Sequence, residues 1–80
     1  MTIEYSKLSM KAIARMDRPT GERIRKGIEG IPKGDIKPIY SVKGGYRLRV
    51  GDWRILFEYE GEDKIYISKI SPRGDVYKGV

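Results

Sequence analysis

Cysteine and histidine are both absent from the 80 residues. Without cysteine there is no disulfide staple and no thiolate nucleophile. Without either residue the common Cys/His zinc sites are excluded, and so is the most frequent general base near neutral pH. Acid–base chemistry must therefore draw on carboxylates, phenols or lysines, and neither a metal nor a small-molecule cofactor is expected. Long apolar runs are missing too. The opening stretch MTIEYSKLSMKAIARMDRP carries a charge every few positions, which predicts neither a signal peptide nor a membrane span. The expectation is a cytoplasmic protein with no membrane partner. So short a chain has room for one modest core, which predicts a single domain over residues 1–80.

Positive charge is what the chain has in excess. Seventeen Lys and Arg stand against 11 acidic residues, a formal net charge of +6. On so small a surface that balance favours a polyanionic or acidic partner through long-range attraction, without saying which.

The first half reads as helical and the second as strands. Ile3 and Tyr5 alternate with Thr2 and Glu4 in a short opening strand. Ser6 is placed to cap a helix in which Leu8, Ala12, Ile13 and Met16 form the apolar stripe and Lys7, Lys11 and Arg15 the opposite side. Asp17-Arg18-Pro19 ends that helix. Thr20 is the cap candidate for a second one, with a stripe of Ile24, Gly27, Ile28 and Ile31. Gly27 and Gly30 lower helix propensity, which implies a close packing contact or early fraying. From Tyr46 the period becomes two, in YRLRV (Tyr46 to Val50), WRILFEY (Trp53 to Tyr59) and KIYISKI (Lys64 to Ile70), joined by turns short enough for hairpins. The expected fold is α+β, β-α-α-β-β-β, with the amino-terminal strand and helical hairpin packed on one face of a small antiparallel sheet. Its core is expected to comprise Leu8, Ile13, Ile24, Ile28, Leu48, Ile55, Phe57 and Ile67.

Alternation sends Tyr46, Leu48 and Val50 to one face of their strand and Arg47 and Arg49 to the other. In the next strand Trp53, Ile55, Phe57 and Tyr59 share the apolar face, leaving Arg54, Leu56 and Glu58 opposite. If the apolar faces coincide, Arg54 joins the other two arginines. After the last strand, Ser71-Pro72-Arg73-Gly74-Asp75-Val76-Tyr77 adds an arginine and a tyrosine. Guanidinium groups on a rigid sheet fork onto phosphate oxygens, and a tyrosine can stack on an unpaired base, so the cluster suits single-stranded RNA. The blander reading is that exposed strands carry arginine to stay soluble and to blunt an edge.

Lys43-Gly44-Gly45 followed by YRLRVGDWRILF (Tyr46 to Phe57) resembles the YRLRVGDYRVIY core of toxins of the RelE/ParE superfamily, closest to its RelE branch, and Arg73-Gly74-Asp75-Val76-Tyr77 resembles their terminal R-x-E/D-V-Y element. The resemblance implies a toxin of a type II toxin–antitoxin pair. Such a toxin is a ribosome-dependent endoribonuclease that cuts messenger RNA in the decoding site, inhibiting translation. In that family the messenger's 2′-hydroxyl attacks the adjacent phosphate, and basic side chains stabilise the charge that develops. Matched residue by residue, the catalytic set is Arg47, Arg49, Arg54, Arg73 and Tyr77, with Lys43, Arg47, Lys69 and Tyr77 contacting RNA. The implied partners are a cognate acidic antitoxin, the ribosome and mRNA.

Members of the family often have lysine where Arg47 and Arg49 stand. A guanidinium stays protonated at any working pH, so both are clamps rather than bases. The 2′-hydroxyl proton must go to Asp75, Tyr77, Glu58, Lys43, Lys69, a group of the ribosome, or water. Two other functions are open: a ParE-type toxin that inhibits DNA gyrase by protein contact, and a weakened or inactive RNA-binding relative.

Overall fold

The computed structural model describes residues 2–40 and 43–72. In chain order the elements are β1 (Thr2–Tyr5), α1 (Lys7–Ala14), α2 (Arg18–Glu29), β2 (Asp35–Pro38), β3 (Gly45–Val50), β4 (Trp53–Tyr59) and β5 (Lys64–Ser71). The α+β class is as expected. The sheet departs from the expected arrangement in two respects: it has five strands, in the order β1-β5-β4-β3-β2, and it is mixed, because β1 runs parallel to β5. The additional strand, Asp-Ile-Lys-Pro, pairs with β3. Its composition is poor in strand formers, and it is stable only as an edge, where Pro38 can be tolerated. The parallel pairing needs a long crossover, and everything from α1 to β4 supplies it.

Two serines anchor α1. Ser6 caps the helix, accepting a hydrogen bond from the Ser9 N–H at 3.1 Å, and its own hydroxyl donates to the Ser68 carbonyl at 2.8 Å. The buried Ser9 hydroxyl lies 3.2 Å from the Ile67 carbonyl. Both meet β5 where its pairing with β4 slips between Leu56 and Phe57, a bulge whose off-ladder carbonyls need donors from elsewhere. Ser68 completes the stitch by donating to the Leu56 carbonyl at 3.1 Å. The inward side of α1 is therefore Ser9, Ala12, Ile13 and Met16. Leu8, expected in the core, is 67% exposed, because the helix is oriented by hydroxyl–carbonyl bonds and Leu8 sits about 100° round the axis from Ser9.

Helix α2 is capped by Asp17, not Thr20. Thr20 instead answers the cap, its N–H 3.2 Å and its hydroxyl 2.8 Å from the Asp17 carboxylate. Pro19 falls in the first turn, where a missing N–H costs nothing. The Thr20 hydroxyl, and then its N–H, hold the Asp17 carboxyl below the ordinary range. The cap's contribution is thus present above that range and is lost as pH falls through the depressed value.

Ile24, Ile28 and Ile31 pack on Leu48, Ile55, Phe57, Ile65, Ile67 and Ile70, with Ile13 partly buried against them. A Cβ at Gly27 would stand 2.7 Å from Val50 Cγ2, so α2 lies closer to β3 than any side chain there would permit. Of the alternatives for Gly27, close packing is the one realised.

Phe57→Ala and Leu48→Ala should each cost about 2–5 kcal/mol in urea unfolding, by cavity formation, while Leu8→Ala should stay within about 0.5 kcal/mol of wild type. Gly27→Ala should destabilise by about 1–3 kcal/mol through overpacking against Val50, despite alanine's better helix propensity. Equal losses at Leu8 and Phe57 would contradict the packing described.

Candidate nucleic-acid interface

Leu48, Ile55 and Phe57 are buried beneath the helices, so the intervening side chains of β3 and β4 point to the face that the helices leave uncovered. Arg47, Arg49 and Arg54 lie together there. Arg49 stands directly opposite Arg54, Arg47 opposite Leu56, and Leu56 in turn opposite Lys69 of β5. Lys43 is exposed in the turn before β3. Glu58 shares the face but is about 13 Å along β4 from Arg54 at the usual rise per residue. Arg73, Asp75 and Tyr77 lie outside the described residues.

Like charges directly opposed across an antiparallel pair oppose folding, so Arg49 and Arg54 are not placed there for stability. The surroundings sharpen the point. Leu56 is only 9% exposed although it lies on the uncovered face. Its neighbours in register and along the strand are Arg47, Lys69, Arg54 and Glu58, and long basic side chains cover apolar surface with their methylene stems. This draws the arginines down onto the sheet. The Arg47 side chain is only 14% exposed. Among the described residues, Nη1 of Arg47 and Nη1 of Arg54 are each shut off from solvent with no hydrogen-bond partner. Asp35 Oδ2 lies 3.7 Å from Arg47 Nη1, an ion pair too long to be a hydrogen bond. Arg49 is the exposed member, its Nε donating to the Gly51 carbonyl at 3.2 Å.

Sequence reasoning missed three contributors. Asp35 and Lys37 flank Arg49 and Arg47 in register, and they were out of sight because β2 itself was. Tyr66, between Glu4 and Glu58 in register, reaches the same face because Ile65 and Ile67 are buried. Period two across β5 would have located it. Among the described residues, the two groups with displaced titration lie elsewhere. Burial pushes the Tyr5 phenol up, but β1 turns that residue toward the helices, and Asp17 caps α2. Neither offers this face a base. What the face can do is bind and polarise an anion with several oxygens, through guanidinium donors that stay protonated.

No protein-family model and no curated protein matches the chain. Solved structures do match. The RelB–RelE antitoxin–toxin complex from Methanococcus jannaschii contains a chain that superposes with a TM-score of 0.74 at 28% identity, over 92% of this chain and 94% of that one. The archaeal RelE–RelB complex from Pyrococcus horikoshii gives 0.71 at 26% identity, over 91% and 94%. The chain is RelE-like. The toxin–antitoxin complex RelBE2 from Mycobacterium tuberculosis extends the likeness at the level of fold, with a TM-score of 0.74 at 16% identity over 88% and 94%. This RelE-like chain thus shares the toxin fold over nearly its whole length, and the arginine face is carried on the central strands of that fold.

Buried donors without partners carry a desolvation penalty, so Arg54→Met should raise the free energy of unfolding, by up to about 1 kcal/mol in urea titration. A loss of similar size would mean that the Arg54 guanidinium is already satisfied.

Proposed function

We propose that the chain is the toxin of a type II toxin–antitoxin pair and acts in the cytoplasm as a ribosome-dependent endoribonuclease on mRNA in the decoding site. The observation that carries this reading is the pair of desolvated Nη1 atoms on Arg47 and Arg54 that lack a hydrogen-bond partner, Arg47 having only the long ion pair to Asp35. Two adjacent strands hold guanidinium donors in a state that an oxygen-rich anion would satisfy, and the RelE likeness supports reading that anion as an RNA phosphate.

In the reaction the 2′-hydroxyl oxygen bonds to the adjacent phosphorus as the bond from phosphorus to the 5′-oxygen breaks, leaving a 2′,3′-cyclic phosphate and a 5′-hydroxyl. The attacking hydroxyl gives up its proton and the leaving oxygen gains one. Arg47 and Arg54 hold the non-bridging oxygens, where negative charge builds up, exposed Arg49 adds to that stabilisation, and Arg73 takes the same part as the family resemblance implies. Lys43 and Lys69 guide the strand, and Tyr77 stacks on the substrate base. The proton acceptor is Glu58, Asp75, Tyr77, Lys43, Lys69, a ribosomal group or water. Silencing falls to an acidic antitoxin, for which a protein of net charge +6 is a suitable electrostatic match.

Replacing Arg49, Arg54 or Arg73 with Gln should slow cleavage of ribosome-bound message by about 100-fold or more with the fold intact, as loss of one oxyanion donor does elsewhere. Affinity for RNA should fall steeply with salt, and Arg47→Gln should flatten that slope. Growth arrest on expression without antitoxin should disappear in the triple variant while soluble protein accumulates. Arrest that persists undiminished would sink the ribonuclease reading in favour of the gyrase-type contact.

A further inference from the structure

The uncovered face changes character along β4. Arg54 and Leu56 stand among Arg49, Arg47 and Lys69, but the next outward residue, Glu58, has Gly45 on one side and Tyr66 on the other, and beyond Tyr66 comes Glu4. One two-residue step along the strand, about 7 Å, therefore leads from the cations to a carboxylate with a phenol ring beside it.

A glutamate on a face rich in arginine is ordinarily there to pair with one. Glu58 does not. Arg47, its diagonal neighbour on β3, turns to Asp35 on the far side, and Lys64 is taken by Glu4 at 3.4 Å and Glu60 at 3.8 Å. Among the described residues the Glu58 carboxylate and the Tyr66 hydroxyl have neither an ion pair nor a hydrogen bond. Both residues are half-buried on adjacent central strands, so each is held against the sheet with its polar atoms uncommitted.

We infer that Tyr66 and Glu58 form a base-reading subsite beside the Arg47 and Arg54 guanidinium groups, in which a base stacks on the Tyr66 ring and the Glu58 carboxylate accepts from the amino group on its Watson–Crick edge. The inference rests on the sheet face binding single-stranded RNA, and it names what that face reads. An unpaired base exposes that edge, and an aromatic ring holds it through its π-face whatever its identity. The carboxylate supplies the choice. Ionised, it has acceptors only, so it suits cytosine, which offers its N4 amino group, and refuses uracil, which sets a carbonyl oxygen at the same position. Adenine and guanine carry amino groups as well, so uracil is the base excluded. The step of about 7 Å from Leu56 to Glu58 is close to one nucleotide of extended chain, so a phosphate held by Arg47 and Arg54 brings a neighbouring base over Tyr66. So engaged, Glu58 reads the base and leaves proton transfer to another group.

The test titrates the full chain against fluorescently labelled oligocytidylate and oligouridylate of about eight nucleotides, homopolymers that fill the subsite in every register, and reads anisotropy at low salt. Wild type should bind the cytidylate at least about fivefold more tightly. Glu58→Gln should bring the two within about twofold by strengthening uridylate binding alone, since an amide donates to O4 as readily as it accepts from N4. Tyr66→Ala should weaken both about tenfold and Tyr66→Phe neither, because stacking needs only the ring. Arg47→Gln should weaken both and leave their ratio as it was. Equal gains for both oligomers in Glu58→Gln would overturn the inference, because the carboxylate would then only repel the backbone. Binding that is lost in Arg47→Gln but blind to the base overturns the subsite alone, whereas a wild type that binds neither oligomer overturns the RNA reading of the face and the subsite together.

Discussion

Helix α2 settles onto β3 through Ile24, Ile28 and the bare backbone of Gly27, and that contact decides which face of the sheet is dry. A single sheet covered on one side has no second core to protect its other face. Period-two alternation then divides β3 and β4, sending Leu48, Ile55 and Phe57 inward and Arg47, Arg49 and Arg54 outward. Shifting either strand by one residue would put guanidinium groups into the isoleucine core, so the burial that holds the molecule together also fixes the register of its cations.

The arginine face opposes local stability, because Arg49 faces Arg54 across a strand pair. Fixed charges that are mutually unfavourable in the free protein become favourable when a polyanion supplies the missing counter-charge. Leu56 contributes: by drawing neighbouring stems over itself it keeps the Arg47 and Arg54 groups partly desolvated, where attraction to an anion is stronger than in water.

The strands of the second half were legible nearly to the residue, because β-branched and aromatic residues recur at period two along most of their length, and the outward facing of the three arginines followed from the same period. Other features depended on interactions that hydrophobic pattern does not encode. Leu8 was misplaced because polar bonds from Ser6 and Ser9 to the β5 bulge orient α1. The bulge itself had a trace in the step of three from Ile67 to Ile70, where period two would have put the next buried residue at 69. The edge strand β2 was illegible because Asp, Lys and Pro in four residues argue for a turn; only pairing with β3 makes it a strand, and with it came Asp35 beside Arg47.

The central claim is that the arginine face acts on messenger RNA held by a ribosome. Primer extension on a defined message, in a cell-free translation reaction given the purified protein, addresses it most directly. The account predicts new 5′ ends within codons of the translated frame, which vanish when the start codon is removed and when Arg47, Arg49 and Arg54 are changed to Gln. Cuts that persist without translation, or an intact message with translation unimpaired, would contradict it.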